Sequence, residues 1–239
     1  EEERKVTAYH EMGHALVGHY LDQDTDVHKI SVVSRGQALG YTISLPREDR
    51  YLTRKSTLMD QLAATLGGRA AEEVVFNEVT TGAANDLEKV TSTAKQMIMR
   101  FGMSEKLGPR VLGRNHDMPF LGREMSAEPD YSEEVAREID EEIRRVIEEA
   151  HLRAHQVLKD HMEELHRLSA ILIERETIDK DQFLRLLEGA AEEEVFPEEA
   201  PAAEAEEKPS RERKPAPKPK PFPVPGAMMQ PPPPDPAKP

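Results

Sequence analysis

The distribution of proline limits how much of this chain can fold. Of its 19 prolines, 15 lie between residues 197 and 239, where an acidic stretch, AEEEVFPEEAPAAEAEE, leads into a basic one, KPSRERKPAPKPKPFP. Proline has no backbone N–H to donate, and so polar a segment buries too little apolar surface to offset the entropy lost on ordering. We therefore predict a folded domain at residues 1–190 and a disordered tail at 191–239 with polyproline II character.

The composition favours a helical fold without membrane spans. Charged residues make up 33% of the chain and aromatic residues 5%, and tryptophan is absent. No apolar run approaches the ~18 residues of a membrane-spanning helix, so we expect this chain itself to be soluble. The net charge of −14 argues against nucleic-acid binding, which needs a basic face. Cysteine is also absent, so any metal must be bound by histidine and carboxylate side chains.

Hydrophobic periodicity predicts a mainly α domain with a small β-hairpin or sheet near the N-terminus and a C-terminal helical segment. The stretch ERKVTAYHEMGHALVGHYLD has helical spacing, whereas HKISVVSRGQALGYTISLP is typical of two strands that turn at Arg35–Gly36 and end at Pro46. Helical spacing returns in TRKSTLMDQLAATLGGRAAEEVVF, where Gly67 and Gly68 indicate close packing against another segment.

Four further helices are predicted along the rest of the folded domain. The first, DLEKVTSTAKQMIMRF, ends at Gly102 and is followed by a loop that runs to about residue 129. The second begins YSEEVAREID, where Ser132 is suited to cap an acidic first turn. The third is HMEELHRLSAILIERE, and the fourth is DKDQFLRLLEG, with a capping-box pattern in Asp179 and Gln182 and a stop at Gly189.

The stretch YHEMGHALVG carries the clearest chemical signal. His10 and His14 are four residues apart and share one face of the predicted helix, where two imidazoles can bind one Zn²⁺. Glu11 is rotated by about 100° from His10, so it can act on a metal-bound water without being a ligand. An ordinary amphipathic helix is the alternative. Gly13 argues against that alternative, because glycine costs a helix about 1 kcal/mol relative to alanine and indicates close approach of another segment.

A catalytic zinc site usually has three protein ligands, and some candidates for the third are excluded by position. His19, nine residues after His10, lies about 180° around the helix. Val17 and Tyr20 stand where the metzincin pattern requires glycine and histidine, which excludes that class. The remaining candidates are carboxylates on later helices: Glu72 or Glu73 in GRAAEE, and Asp86 in TTGAANDLEKV. The residues alone do not choose between them.

Several blocks resemble the FtsH-type proteases, which are membrane-anchored AAA+ zinc proteases. Six blocks occur in the order of that family within residues 1–190: AYHEMGHALVG, HKISVVSRGQALGYTISLPREDRYL, GGRAAEEVVF, VTTGAANDLEKVT, FGMSEKLGP and YSEEVAREIDEEIRRVI. The resemblance implies that His10, His14 and Asp86 hold one Zn²⁺ and that Glu11 is the general base. Met12 stands where the family usually has alanine, and we expect only a change of packing there.

The resemblance also implies a substrate strand. ALGYTISLP looks like the edge strand that pairs with an extended substrate, with Gly40, Tyr41 and Thr42 as substrate-binding residues. A purely structural strand is the alternative. We expect Glu72 and Glu73 to pack helices or to orient a metal ligand. The other histidines are expected at the surface or in packing contacts: His19, His28, His116, His151, His155, His161 and His166.

The family joins an ATPase module and transmembrane segments to this domain, but the chain contains no GxxxxGK[ST] phosphate loop. We expect the peptidase module of a longer ATP-dependent protease, with ATP and Mg²⁺ acting only through the missing module; a natural stand-alone peptidase is the alternative. The resemblance implies a homo-hexamer at the cytoplasmic face of the bacterial inner membrane, with membrane contact only through missing N-terminal segments. The expected substrates are unfolded or damaged proteins, including membrane proteins. A catalytically silent assembly module and a purely structural zinc site are the rival hypotheses.

Overall fold

The computed structural model describes residues 1–21, 25–33, 40–46, 52–113 and 130–196, which belong to one compact unit, Glu1–Glu198. The elements follow in this order: α1 Glu2–Leu21, β1 Thr25–Ser31, β2 Tyr41–Pro46, α2 Lys55–Phe76, a 3-10 turn Thr81–Ala83, α3 Ala84–Lys95, a π-helical turn Gln96–Arg100, α4 Glu133–Asp160, α5 Met162–Arg175, β3 Thr177–Asp179, α6 Lys180–Leu187 and α7 Glu192–Val195. The prediction of a mainly α fold with a small sheet near the N-terminus is confirmed. Within the described ranges, no helix has the length and apolar character needed to cross a membrane.

The backbones of α1 and α2 touch where both helices carry glycine. A Cβ atom on Gly13 would collide with the carbonyl oxygen of Gly67 and lie 2.7 Å from the Cβ of Ala71. A Cβ on Gly67 would in turn lie 2.5 Å from the carbonyl oxygen of Gly13. Alanine side chains line the same interface, and Ala8, Ala15, Ala63 and Ala70 are fully buried. The close packing predicted from the mid-helix glycines is therefore confirmed, and it fixes the face of α1 that carries His10 and His14.

Among the described residues the sheet has three antiparallel strands in the order β2-β1-β3, in which β2 is an edge strand. The prediction of β1 and β2 is confirmed, although β1 begins three residues before the predicted start at His28. The predicted turn at Arg35–Gly36 lies outside the described residues. The sequence missed β3, because a strand of three residues is too short to show alternation. It follows α5 directly, after Glu176 adopts a left-handed φ of 63°.

The predicted ends of the helices hold well. Ser132 accepts a hydrogen bond from the backbone N–H of Val135 at 3.3 Å, and both halves of the Asp179–Gln182 capping box are present. The helix that was predicted to end at Gly102 ends at Arg100, and Gly102, two residues later, has a φ of +61°. Its last turn is π-helical, which the sequence did not predict, since the spacing of apolar residues hardly differs over one turn.

Ordered structure continues past the predicted boundary at residue 190. The short helix α7 lies at Glu192–Val195, and Val195 is buried. Arg175 forms an ion pair with Glu192 at 2.8 Å, and its guanidinium lies 5.0 Å from the ring centre of Phe196. These contacts hold the start of the acidic stretch against α5, and the domain boundary at 190 remains a prediction. The rest of the predicted tail lies outside the described residues.

Candidate active site

The side chains of His10, His14 and Asp86 converge where α1 meets the first turn of α3. The Nε2 atoms of the two histidines are 3.1 Å apart, and Asp86 Oδ2 lies 3.4 Å from His10 Nε2 and 3.2 Å from His14 Nε2. Ligand atoms bound to one tetrahedral Zn²⁺ at about 2.0–2.2 Å are about 3.3–3.6 Å apart. The triangle therefore needs only a small expansion to hold zinc. The three side chains are 10%, 15% and 17% exposed, which leaves the site open to a small ion.

The remaining ring nitrogens show which tautomers are present. His10 Nδ1 donates to Glu72 Oε1 at 2.7 Å, and His14 Nδ1 donates to the carbonyl oxygen of Ala64 at 2.9 Å. The backbone nitrogen of Gly68 is 3.3 Å from His14 Nδ1, but the shorter contact to an acceptor identifies Nδ1 as a donor. In the neutral rings both Nε2 atoms therefore carry lone pairs. Two lone pairs and a carboxylate oxygen face one another, which is an arrangement that needs a cation between them.

Without a metal, a proton meets this need. Burial lowers the pKa of His10, but hydrogen bonds to the Asp86 and Glu72 carboxylates outweigh that effect and raise it to about 9. Burial raises the pKa of Asp86, but the same histidines hold it well below its usual range. Both shifts have one cause, because the surrounding groups stabilise positive charge at the Nε2 atoms.

Glu72 orients His10 from the far side of the ring. Its side chain is 1% exposed, and its second oxygen accepts the backbone N–H of Thr80 at 2.6 Å. Burial raises the pKa of Glu72, but the hydrogen bonds from His10 and Thr80 lower it overall, so the carboxylate stays charged. The ring itself rests on Gly68, where a Cβ would lie 2.5 Å from His10 Nε2. Of the carboxylates that the sequence left open, Asp86 faces the Nε2 atoms and Glu72 faces Nδ1.

Glu11 is buried beside the histidines but does not belong to the group of converging ligand atoms found in the described residues. The Thr42 hydroxyl lies 2.7 Å from Glu11 Oε2 and 3.1 Å from the Glu11 carbonyl oxygen, and the carboxylate is the stronger acceptor for its single proton. Gly40 packs on the same side chain, because a Cβ there would lie 3.0 Å from Glu11 Cγ. The contact of a buried carboxylate with the start of β2 was not foreseen from the sequence.

The three residues predicted to bind substrate lie at the start of the edge strand. Tyr41 and Thr42 pair with Ser31 and Ile30 of β1, and Gly40 immediately precedes the strand. Since β1 occupies one side of β2, the backbone groups on the other side face away from the sheet. Thr42 and Gly40 place the start of β2 next to Glu11.

A second cluster of metal-binding groups lies between α2 and α4. His151, His155 and Glu73 bring their ligand atoms within 4.8 Å of one another. The expectation that these histidines are ordinary packing residues missed this arrangement. The signal was present in HLRAH, which has the same spacing as the histidines of HEMGH.

The other described histidines make packing and hydrogen-bond contacts, except for exposed His28. His166 Nδ1 is 2.9 Å from the Tyr9 hydroxyl, and His161 stacks on Tyr20 with ring centres 3.6 Å apart. His19 packs edge-to-face against Phe183. His116 lies outside the described residues.

Paired histidines one helical turn apart, a ligating carboxylate from another helix and an adjacent non-ligating carboxylate are typical of single-zinc hydrolases. The family to which the sequence is similar is also a class of zinc hydrolases. The sequence model of Peptidase family M41 matches residues 1–186. The chain therefore belongs to Peptidase family M41, and the resemblance to the FtsH-type zinc metalloproteases is confirmed.

The chain is also similar in sequence to individual FtsH proteins from several bacteria. ATP-dependent zinc metalloprotease FtsH 1 of Conexibacter woesei is 66% identical over 83% of this chain, and FtsH of Rubrobacter xylanophilus is 50% identical over 81%. FtsH of Slackia heliotrinireducens is 46% identical over 85% of the chain. The matched segments cover 30%, 30% and 26% of these relatives, so the chain spans less than a third of their length.

Proposed function

We propose that the chain is the zinc peptidase module of an ATP-dependent protease and that it hydrolyses peptide bonds in unfolded polypeptides. The observation that carries the proposal is the convergence of two Nε2 lone pairs and one Asp86 oxygen, with each Nδ1 held by an acceptor. Its relatives are named zinc metalloproteases, which supports Zn²⁺ as the ion.

Each residue of the site has a separate task in the proposed reaction. His10, His14 and Asp86 hold Zn²⁺, which when bound lowers the pKa of a water to about 7 and polarises the scissile carbonyl. Glu11 accepts the water proton at Oε1 and passes it to the leaving amine. The Thr42 hydroxyl holds Oε2 and so fixes the rotation of the carboxylate. Glu72 keeps the Nδ1 proton of His10 in place, so that Nε2 remains a ligand.

The substrate is proposed to bind as an added strand on β2. The outer backbone groups of Gly40, Tyr41 and Thr42 pair with an extended chain, and this pairing does not depend on side chains. Most backbone groups of a folded protein are already paired within it, so unfolded or damaged proteins, membrane proteins among them, are the proposed substrates. The position of Thr42 beside Glu11 supports this placement of the scissile bond.

The remaining proposals concern a longer protein. The names of the relatives include ATP dependence, and we propose that an ATPase module supplies unfolded chain using ATP and Mg²⁺. We further propose a homo-hexamer at the cytoplasmic face of the bacterial inner membrane, attached through N-terminal segments. We expect part of the apolar surface of the helices after residue 130 to lie between subunits. Sedimentation that gives a strict monomer at high concentration would count against assembly by this module alone.

Cleavage of an unstructured fluorogenic polypeptide tests the central proposal. The full chain is loaded with stoichiometric Zn²⁺ and compared with Glu11→Gln. Because general acid–base catalysis contributes about 10²–10⁴-fold, Glu11→Gln should lose cleavage by about that factor and retain its zinc. Glu78→Gln, which changes an exposed carboxylate, is the matched control and should cleave like the parent.

The possible outcomes separate the hypotheses. Cleavage by the parent and not by Glu11→Gln establishes a working zinc-hydrolase site. Loss of zinc from Glu11→Gln would contradict the assignment of Glu11 as a base. Absence of cleavage by either protein would overturn independent activity of this module and favour a role that needs the ATPase or serves only assembly.

A further inference from the structure

The second cluster has the same local construction as the first. His151 and His155 lie one turn apart on α4, as His10 and His14 do on α1. Their ring centres are 4.6 Å apart at an interplanar angle of 75°, compared with 4.7 Å and 81° in the first pair. Each pair therefore presents two imidazoles in nearly the same relative orientation to a carboxylate from another helix.

The Nε2 atoms of both rings in the second cluster lie close to one oxygen of Glu73, although only His155 makes a hydrogen bond to it. His155 Nε2 lies 2.7 Å and His151 Nε2 lies 2.9 Å from Glu73 Oε2. Arg69 binds the other oxygen, Oε1, at 3.0 Å. Oε2 is thereby aimed at the histidines as a monodentate ligand, and the carboxylate is held in that rotation.

Burial and charge in the cluster suit a metal ion. The three side chains are 21–29% exposed, so the cluster lies near the surface, while the Nε2 atom of His151 is itself buried. Burial, the largest effect, and nearby positive charge lower the pKa of His151, so this ring is neutral near pH 7 and can offer a lone pair. Burial raises the pKa of Glu73, but its hydrogen bond from His155 and nearby positive charges lower it overall, so the carboxylate is charged.

We propose that Glu73, His151 and His155 form a second site for a divalent transition metal of the Zn²⁺ type, which cross-links α2 and α4. Two imidazoles and one carboxylate suit Zn²⁺, Co²⁺, Ni²⁺ or Cu²⁺, whereas Mg²⁺ and Ca²⁺ prefer all-oxygen ligands. Binding requires the ligand atoms to move apart from 2.7–2.9 Å to about 3.3 Å, which small side-chain rotations achieve. A water completes the coordination, because three protein ligands leave one position open.

The position of this site gives it a structural consequence. Glu73 follows Glu72, which orients His10, and the same helix supplies the Ala64 carbonyl that orients His14. A metal bound to Glu73 and to α4 therefore fixes the helix that positions both histidines of the first cluster. Metal bound at the second site should raise the melting temperature of the chain. It is not expected to contact the substrate.

Metal stoichiometry tests the proposal. The full chain is stripped with a chelator, titrated with Co²⁺, and followed by the visible absorbance of the bound ion; bound Co²⁺ is then counted by elemental analysis. The parent should bind two equivalents, and His151→Ala and His14→Ala should each bind one. The double variant should bind none. His28→Ala removes an exposed histidine on β1 and should still bind two.

Two results would overturn the proposal. One is a His151→Ala variant that binds as much Co²⁺ as the parent; the other is a His14→Ala variant that binds none. Either means that Glu73 and the two histidines only pack against one another, with a hydrogen bond between His155 and Glu73. The His14→Ala arm leaves the second cluster intact, so the test holds even where His151→Ala fails to fold. Since the readout is bound metal, a failure of the proposed peptidase activity does not affect it.

Discussion

The two histidine clusters share their spacing but differ in what lies behind the rings. In the first cluster each Nδ1 donates to an acceptor on α2, the Glu72 carboxylate for His10 and the Ala64 carbonyl for His14. In the second cluster Nε2 of each ring lies 2.7–2.9 Å from one Glu73 oxygen. The first pair is thus fixed in one tautomer with its lone pairs converging, whereas the second meets its carboxylate at hydrogen-bonding distance.

This difference ranks the two sites. Acceptors behind metal-bound histidines fix the ring and raise its basicity, and their loss typically costs 10–100-fold in affinity. We therefore expect the first cluster to bind Zn²⁺ more tightly and the second to fill only at higher free metal. The comparison also separates two functions of α2, since adjacent residues on this helix serve different clusters.

The largest difference between the clusters should be seen in zinc affinity when Glu72 and Glu73 are each replaced by glutamine in separate variants. Glu72→Gln weakens the acceptor behind His10 and should lower the zinc affinity of the first site by about 10–100-fold. Glu73→Gln removes the charged oxygen of the second cluster and should weaken only the second, lower-affinity binding event. Competition with a zinc-sensitive dye measures both events. If both variants weaken the higher-affinity zinc binding equally, the assignment of that binding to the first cluster is wrong.

A second comparison concerns the backbone contact between Gly13 and Gly67 near the first cluster, which has no counterpart among the described contacts of the second cluster. Gly13→Ala forces a Cβ into the Gly67 carbonyl, and overpacking of about 1–3 kcal/mol should lower the melting temperature by roughly 5–10 °C. Gly18→Ala is the matched control on the same helix, because its Cβ would lie 3.8 Å from Ala64 in ordinary contact. It should stabilise the chain by about 0.5–1 kcal/mol. Thermal melts of the metal-free proteins measure both, and a Gly13→Ala variant as stable as Gly18→Ala would contradict the backbone contact.

A smaller effect is expected at Thr42, whose hydroxyl holds the Glu11 carboxylate. Thr42→Val keeps the β-branched shape and the backbone of β2 but loses a hydrogen bond to a charged group worth about 1.5 kcal/mol. We expect kcat to fall about tenfold with little change in KM, since the strand edge that binds substrate is retained. Thr42→Ser keeps the hydroxyl and should restore most of the activity. An effect on KM alone would mean that Thr42 serves substrate binding and not Glu11.

The elements that the sequence predicted well are those whose signals are local. The helix with His10, Glu11 and His14 follows from spacing within one segment, and the Ser132 cap lies within one turn. The sequence also predicted that another segment packs closely on Gly13, because glycine in the middle of a helix costs stability. Its partner, however, became known only from the fold.

The features that were missed depend on contacts between distant segments. His10 and Glu72 are separated by 62 residues, and Glu73 and His155 by 82, so no local pattern links them. HLRAH has the spacing of a metal pair, yet the spacing alone cannot show whether a carboxylate faces it. The strand β3 forms only because α5 delivers three residues to the free side of β1.

The smallest expected effect is a difference in how pH changes the stability of the metal-free and the zinc-loaded chain. The folded pKa of His10 is about 9, above its usual value of 6.5, so its stabilising effect is complete below the lower value and is lost as pH rises through the higher one. Zinc stabilises in the opposite direction, because it competes with this proton and binds more tightly as pH rises. The melting temperature of the metal-free chain should therefore fall across this window while the increase produced by zinc grows.

In the second cluster burial has already lowered the pKa of His151, so zinc there meets less competition from protons and its effect should change less with pH. Thermal melts of His14→Ala, which retains only the second cluster intact, should show this weaker pH dependence. If the stabilisation by zinc depends on pH as steeply as in the parent, the proton that competes with zinc does not belong to the first cluster.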